Sequence, residues 1–171
     1  MFNDIKVIAM PGNTIDYKVD DRTSSSTGRT IKAGEPVKES TNYVVCINDD
    51  DVGAVTDVLV GIASKESTET SSADGVCAVT MILPMATILR GNAETAASAD
   101  SQSELLALLN SDFPFGASAA NTVAAGANIT IAEDTDDGVN HGLKCIGGSG
   151  DAFATLDVIV KPQWLAAGAA A

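Results

Sequence analysis

The chain has 171 residues and a formal net charge of −13, from 23 acidic and 10 basic residues. This charge repels a phosphate backbone, so the composition argues against a nucleic-acid partner. Hydrophobic residues make up 45% of the chain and aromatic residues only 4%, which predicts one folded domain whose core is built mainly from small side chains.

The cysteines and the apolar runs exclude several other classes. Cys46, Cys77 and Cys145 are odd in number and widely spaced, which predicts small buried side chains rather than a disulfide framework or a zinc site. The first residues show no basic region followed by a long apolar stretch, so we expect no secretory signal and synthesis in a cytoplasm. The longest apolar run, residues 76–89, falls short of the roughly 20 residues of a spanning helix, so we expect no membrane anchor.

Residues 1–27 are predicted to form an extended N-terminal arm and linker. The alternation at residues 5–9 indicates a strand, and residues 23–28 are small and polar, as in a linker. Such an arm suits β-augmentation of a partner's sheet, with a frayed terminus as the alternative. In the first case, deletion of residues 1–10 is expected to abolish partner binding and to leave the domain folded. The predicted contact residues are Phe2, Ile5, Val7 and Ile8.

Residues 28–171 are predicted to form a mainly-β domain, of the small β-barrel or β-tulip-like kind. Short runs rich in Val, Ile and Thr alternate with turn residues, as in an all-β domain. Gly34, Gly75 and Gly91 occupy positions where tight reversals with positive φ are expected. The predicted strands span residues 30–32, 35–38, 43–47, 58–65, 76–83, 87–90, 128–131, 143–146 and 154–160.

One short α-helix is predicted at about residues 101–112. Ser101 and Glu104 have the spacing of a capping box, and Pro114 follows the expected end. Leu105, Leu108 and Leu109 share one helical face, which we expect to cover the open end of the barrel. The surrounding segment, residues 94–140, is interpreted as an inserted lobe.

Motifs for catalysis or metal binding are incomplete. His141 is the only histidine, so a nucleophilic triad has few ways to form. Residues 147–151 read GGSGD and lack the final glycine of a nucleophile elbow. Residues 133–138 resemble a calcium loop but miss its spacing and its bidentate glutamate. We therefore expect no enzyme activity, no catalytic residues, no cofactor and no metal site.

Three aromatic residues are predicted to act as anchors at a subunit interface. Phe113 and Phe115 follow the helix, and Trp164 begins a small, apolar tail. Aromatic side chains are enriched at the centres of protein interfaces, which is the reason for this assignment.

Four runs in the first half of the chain carry a resemblance to a known group. They are Gly34 to Ser40, Tyr43 to Cys46, the acidic turn from Asp49 to Ala54, and Leu59 to Ala63. Their order resembles the small capsid decoration proteins of tailed phages, the lambda-head-decoration-like group, over residues 28–92. The resemblance implies a β-rich fold, homotrimers on the outer capsid surface, and an arm that becomes ordered on the major capsid protein.

The expected function is therefore that of a structural virion protein that stabilises the shell by bridging capsid subunits. The acidic charge favours the outer surface, because a protein facing the packaged genome would be repelled. A head fibre or a carbohydrate-binding β-module is the alternative. A biotinyl- or lipoyl-carrier barrel also has a turn like residues 31–37, but the methionines that flank its modified lysine are missing around Lys32.

Overall fold

The structure is a computed structural model that describes residues 5–19, 30–40, 42–46, 59–70, 72–117, 129–133 and 142–162. These residues form a mainly-β domain with a single short α-helix, as predicted. The helix α1 spans Gln102–Leu108. The strands are β1 Lys6–Ala9, β2 Thr14–Val19, β3 Pro36–Ser40, β4 Tyr43–Cys46, β5 Leu59–Ala63, β6 Gly75–Met81, β7 Ile88–Asn92, β8 Asp112–Phe113, β9 Phe115–Ala117, β10 Ile129–Ile131, β11 Leu143–Gly148 and β12 Thr155–Val160.

The strands form two five-stranded antiparallel sheets and one small ribbon. The first sheet has the order β1-β7-β12-β11-β8, and the second has the order β2-β6-β5-β3-β4. Strands β9 and β10 pair with each other as a separate ribbon, and a single bridge between Ile131 and Ala93 joins this ribbon to the end of β7. The chain therefore passes from one sheet to the other twice, between β1 and β2 and again between β6 and β7.

The second sheet curls around a small core but does not close into the predicted barrel. Its end strands, β2 and β4, approach each other without forming a hydrogen-bonded pair. The enclosed core contains eight residues with small or medium side chains: Val19, Ile31, Val37, Val44, Val60, Ala63, Cys77 and Val79. Side chains of this size fill a tightly curved sheet, and both faces of β5 are buried in consequence.

The main core lies between the two sheets. It packs Leu89, Leu156 and Val158 of the first sheet against Leu59 and Ile62 of the second. Alternate residues of β12 face this core, which is the period-2 pattern of a half-buried strand. Burial of a side chain of this size contributes about 1.5–3 kcal/mol, so this layer supplies most of the stabilisation.

Thr87 joins the two turns at which the chain changes sheets. Its hydroxyl donates to the carbonyl oxygen of Met10 at 2.6 Å and accepts from the backbone N–H of Leu83 at 2.8 Å. Met10 follows β1, Leu83 precedes β7, and Thr87 is fully buried. One hydroxyl therefore holds the β1–β2 turn against the β6–β7 turn.

The predicted capping box is present at α1. The Ser101 side chain accepts from the backbone N–H of Glu104, and Ser101 Oγ donates to a carboxylate oxygen of Glu104 at 2.7 Å. The second of these bonds, in which the Ser101 hydroxyl donates to the carboxylate, lowers the pKa of Glu104. The helix ends at Leu108, earlier than predicted, because Asn110 adopts a left-handed conformation with φ 69° and its N–H donates to Cys145. Leu105 packs into the main core rather than over a barrel opening.

The described part of the predicted arm belongs to the two sheets, and the predicted lobe contributes β8 to the first sheet and side chains to the main core. Residues 5–19 were expected to extend from the domain, yet β1 pairs with β7 and β2 pairs with β6. In the segment 94–140, β8 pairs with β11, and Ile131 is fully buried in the main core. Both segments carry apolar residues that the thin core needs, which explains why neither stands apart.

Two predictions of local structure were wrong. Residues 30–32 form no strand, because Ile31 accepts from the N–H of Ser67 and donates its own N–H to the Ser67 hydroxyl instead of joining a ladder. The strands β8 and β9 were missed, since each has only two or three residues and Pro114 separates them.

We predict that Thr87→Val lowers the free energy of unfolding by about 1–3 kcal/mol, because it keeps the side-chain shape and removes the two hydrogen bonds that the buried hydroxyl makes to the carbonyl of Met10 and the N–H of Leu83. Urea denaturation measures this change. Thr14→Val is the matched control: Thr14 is exposed on β2 and its hydroxyl bonds only to Thr80, so its effect should stay within about 0.5 kcal/mol. Equal effects of the two substitutions would refute the role of Thr87.

Candidate interaction surface

Three exposed apolar side chains lie on the two adjoining turns, and a fourth lies in β1 two residues before the first turn's methionine. We call this set the methionine tip: Ile8, Met10, Leu83 and Met85. Their exposed fractions are 42%, 61%, 42% and 50%. Large apolar side chains clustered at the surface mark interaction sites more often than single exposed ones do.

The backbone holds both methionines in an unusual conformation. Met10 has φ 50° and Met85 has φ 55°, in the left-handed region that side chains other than Gly, Asn and Asp seldom occupy. The Met85 N–H donates to the carbonyl of Val160 at 3.0 Å, which ties this turn to the end of β12. Strain of this kind persists only where the surrounding structure enforces it, and it concentrates at functional sites.

Gly12 fixes the position of the first turn. Its N–H donates to the carbonyl of Met81 at 2.9 Å, and the N–H of Met81 donates back to Asn13 at 2.9 Å. A Cβ atom on Gly12 would lie 2.7 Å from the Met81 carbonyl oxygen. Only glycine permits this approach, which brings the turn onto the end of β6.

The residues predicted to contact a partner fall into three groups. Ile5 is almost fully buried in the main core and Val7 packs partly against it, so of the predicted set within the described chain only Ile8 is substantially exposed. Phe113 and Phe115 are fully buried in the main core, so the prediction that they anchor a subunit interface was wrong. Phe2 and Trp164 lie outside the described residues.

The sequence reading missed Met10, Leu83 and Met85. The sequence does contain turn signals beside them: Pro11-Gly12 follows Met10, and Pro84 stands between Leu83 and Met85. The missing information was that the two turns lie side by side, since Thr87 and Met10 are 77 residues apart in the chain. A methionine directly beside a proline turn signal, as at Met10 and Met85, is the one feature of the sequence that could have identified this surface.

A shallow groove runs beside β1, away from the tip. It has a volume of about 360 Å³ and lies between β1, the Ala33–Gly34 turn and the neighbouring strands of the second sheet. Its walls are mostly small or apolar, with Val7, Ile62 and Ala63 among them. The polar residues that line it are Lys6, Ser64 and Thr80, and the lining contains no carboxylate, histidine or cysteine.

Catalytic and metal-binding groups do not converge in the described part of the chain. No cluster of three or more His, Cys, Asp or Glu residues with metal-binding geometry occurs there. Glu133, the first residue of the calcium-like stretch, points inward: its two carboxylate oxygens accept from the N–H groups of Glu94 and Thr95 at 2.7 and 2.8 Å. His141 and the rest of that stretch lie outside the described residues.

No helix among the described residues is long and apolar enough to cross a bilayer.

The buried thiol of Cys145 is set up for packing rather than for chemistry. It lies in the main core, and burial raises its pKa. A thiol with a raised pKa is a poor nucleophile at neutral pH, because the thiolate is the reactive form. Cys77 is likewise buried, inside the second sheet. Both agree with the sequence-based interpretation of the cysteines as small core residues.

Comparison of the chain with protein-family models, with curated proteins and with solved structures found no match.

We predict that Met10→Gly and Met85→Gly each raise the free energy of unfolding by up to about 1 kcal/mol, because glycine adopts a positive φ without strain. The gain is reduced by the larger unfolded-state entropy of glycine. Thermal unfolding measures it. Asn110→Gly is the control, since Asn110 has φ 69° and asparagine already tolerates this region. If neither methionine variant is more stable, the backbone at the tip is not strained.

We predict opposite effects of one substitution at two buried glutamates. Glu133→Gln should destabilise the fold by about 1.5–3 kcal/mol, because it weakens two charge-assisted bonds. Glu69→Gln should stabilise it, because both oxygens of Glu69 are buried and no group in the described structure donates to them. Urea denaturation of the two variants gives the comparison. Destabilisation by Glu69→Gln would show that its carboxylate has a partner in the folded protein.

Proposed function

We propose that this protein is a non-enzymatic decoration module of a virus capsid. It binds the outer surface of the assembled shell, contacts the major capsid protein, and stabilises the shell by bridging capsid subunits. The methionine tip is the surface that makes the contact. The observation that carries this proposal is the exposure of four large apolar side chains, three on two turns that one buried hydroxyl holds together and one in the adjoining strand β1.

The chemistry of the tip supports a protein partner. Methionine is unbranched and polarisable, so it adapts to an irregular apolar surface. Complete burial of a side chain of this size contributes about 1.5–3 kcal/mol, and these four are about half exposed, so each has roughly 1 kcal/mol left to gain on binding. A gain of this size per copy is modest, and it becomes large when many copies bind one shell and each bridges several subunits.

The charge of the chain supports the outer location. A net charge of −13 is repelled by packaged nucleic acid and keeps unbound copies soluble.

The resemblance to phage decoration proteins over residues 28–92 also supports the assignment. That stretch includes β3 to β6, which are four of the five strands of the second sheet, and β7 of the first.

The fold changes how the contact must be tested. Deletion of residues 1–10 was the natural test of an independent arm, but it would remove β1 and the buried Ile5. Loss of binding would then report unfolding rather than loss of a contact. Substitutions that leave the backbone at least as stable are required instead.

We predict that the double variant Met10→Asn, Met85→Asn binds empty capsids of the source virus about 30-fold more weakly, because each substitution removes apolar contact worth about 1 kcal/mol, or about fivefold in affinity. Asparagine tolerates the left-handed conformation, so the variant should unfold at the same temperature as the wild type or higher. Co-sedimentation over a range of protein concentrations measures binding, and thermal unfolding is recorded on the same preparations. Weaker binding by a more stable protein cannot be attributed to misfolding.

The matched control is Leu106→Gln. Leu106 is 67% exposed on α1. This helix lies near Gly148 at the end of β11, whereas the tip lies near Val160, which pairs with the start of β11. Removal of Leu106 takes away a comparable apolar side chain and should leave capsid binding unchanged. A wild-type protein that stays in the supernatant at every concentration would refute the decoration function. Equal binding by wild type and the tip variant would refute the tip alone.

A carbohydrate-binding module is the second candidate, and one observation favours it. Phe153 is 71% exposed in the turn between β11 and β12, where an aromatic ring can stack on a sugar. Glycan-array binding that is lost in Phe153→Ser and retained in Met10→Asn, Met85→Asn would favour this candidate over the capsid.

A further inference from the structure

The part of the chain that the structure describes contains three methionines, and they lie in two different environments. Met10 and Met85 of the methionine tip are 61% and 50% exposed. Met81, at the end of β6, is half-buried and packs against the core that the second sheet encloses. Solvent therefore reaches the side chains of the two tip methionines more freely than that of Met81.

The sulfur of Met81 is also engaged in a hydrogen bond. Its Sδ atom accepts from the Tyr17 hydroxyl at 3.4 Å, and the Tyr17 side chain packs against the same core. A thioether reacts with a peroxide through a lone pair on sulfur, and the bond from Tyr17 occupies one of these lone pairs. We therefore expect Met81 to be oxidised more slowly than Met10 and Met85.

The turns that carry the tip methionines are held by backbone groups and not by sulfur. The carbonyl oxygen of Met10 accepts from the Thr87 hydroxyl at 2.6 Å, and the N–H of Met85 donates to the carbonyl of Val160 at 3.0 Å. An oxygen atom added to an exposed sulfur touches neither bond. Oxidation should therefore change the chemistry of the tip and leave the fold beneath it intact.

We propose that Met10 and Met85 form a reversible oxidation site that controls attachment of the free protein to its capsid partner. The inference rests on the proposed function, because it concerns the same tip. A sulfur lone pair attacks one oxygen of hydrogen peroxide, so that an S–O bond forms and the O–O bond breaks. The sulfur loses two electrons and becomes a sulfoxide, and the departing hydroxide takes the proton of the transferred oxygen and leaves as water.

The sulfoxide works against binding because it is polar. Buried on an apolar partner surface, its oxygen loses the hydrogen bonds that water supplied. Sulfoxide reductases reverse the change: two thiols are oxidised to a disulfide, and the oxygen leaves as water. An attached copy has its tip covered by the partner, so attachment protects the two methionines from the oxidant.

The test compares the purified full-length protein before and after mild treatment with hydrogen peroxide. Peptide mass spectrometry measures the gain of one oxygen at each methionine, and we expect Met10 and Met85 to gain it before Met81. Co-sedimentation with empty capsids of the source virus should then show binding that is about 30-fold weaker, because the apolar contact of both side chains is lost. The unfolding temperature should stay the same, and sulfoxide reductases with a thiol should restore binding.

Two leucine variants assign the effect to the tip. Met10→Leu, Met85→Leu has no sulfur there, so its binding, whatever its starting value, should be the same before and after peroxide. Met81→Leu is the matched control, because leucine has a similar volume and the tip methionines remain. This variant should lose binding on oxidation as the wild type does. In capsid-bound wild type, Met10 and Met85 should be oxidised more slowly than in the free protein, whereas the rate at Met81 should not change.

The outcomes separate this inference from the proposed function. Unchanged binding after complete oxidation of Met10 and Met85 would overturn the inference and leave capsid binding itself standing. A fall in unfolding temperature that accompanies the loss of binding, or oxidation of Met81 as fast as that of the tip, would also overturn it. A wild-type protein that binds no capsid before peroxide would refute the proposed function and, with it, the control of attachment.

Discussion

The hydroxyl of Thr87 is the contact on which the relation between the two sheets depends. Each sheet takes one strand from the N-terminal segment, and the chain must change sheets at two turns for this to happen. Thr87 is fully buried and bonds to both turns at once. The main core lies between the sheets, so this junction fixes the turns beside the core and the position of the tip.

Many strands could be predicted from the sequence, whereas their partners could not. Alternation and β-branched residues located β5, β6, β7 and β12 to within a few residues, and the capping box located the start of α1. Pairing depends on contacts between distant parts of the chain, and no local pattern indicated that β7 lies between β1 and β12. For the same reason residues 5–19 were assigned to an arm, although their apolar side chains complete both sheets.

The interaction surface was predicted less well than the fold, and the reason is physical. Phe113 and Phe115 were assigned to an interface because aromatic side chains are common there, yet a core made mostly of Leu, Ile, Ala and Val needs its few aromatic side chains inside. Glycine was expected at positive φ, and Gly34 does have φ 88°, but Met10 and Met85 adopt the same region. Gly75 and Gly91 are instead strand residues at sites of close approach, to Glu69 and to Ile5 respectively. Burial and strain both depend on tertiary contacts.

The place of β12 in the first sheet has a consequence for the order in which the protein folds as it is made. This strand is the last of the described strands in sequence, yet it is the central strand of its sheet and pairs with both β7 and β11. All strands of the second sheet leave the ribosome earlier, so that sheet can form while β1 and β7 have no third strand beside them. The apolar side of this incomplete pair is exposed until β12 has left the ribosome, and the nascent chain is most prone to aggregate during that interval.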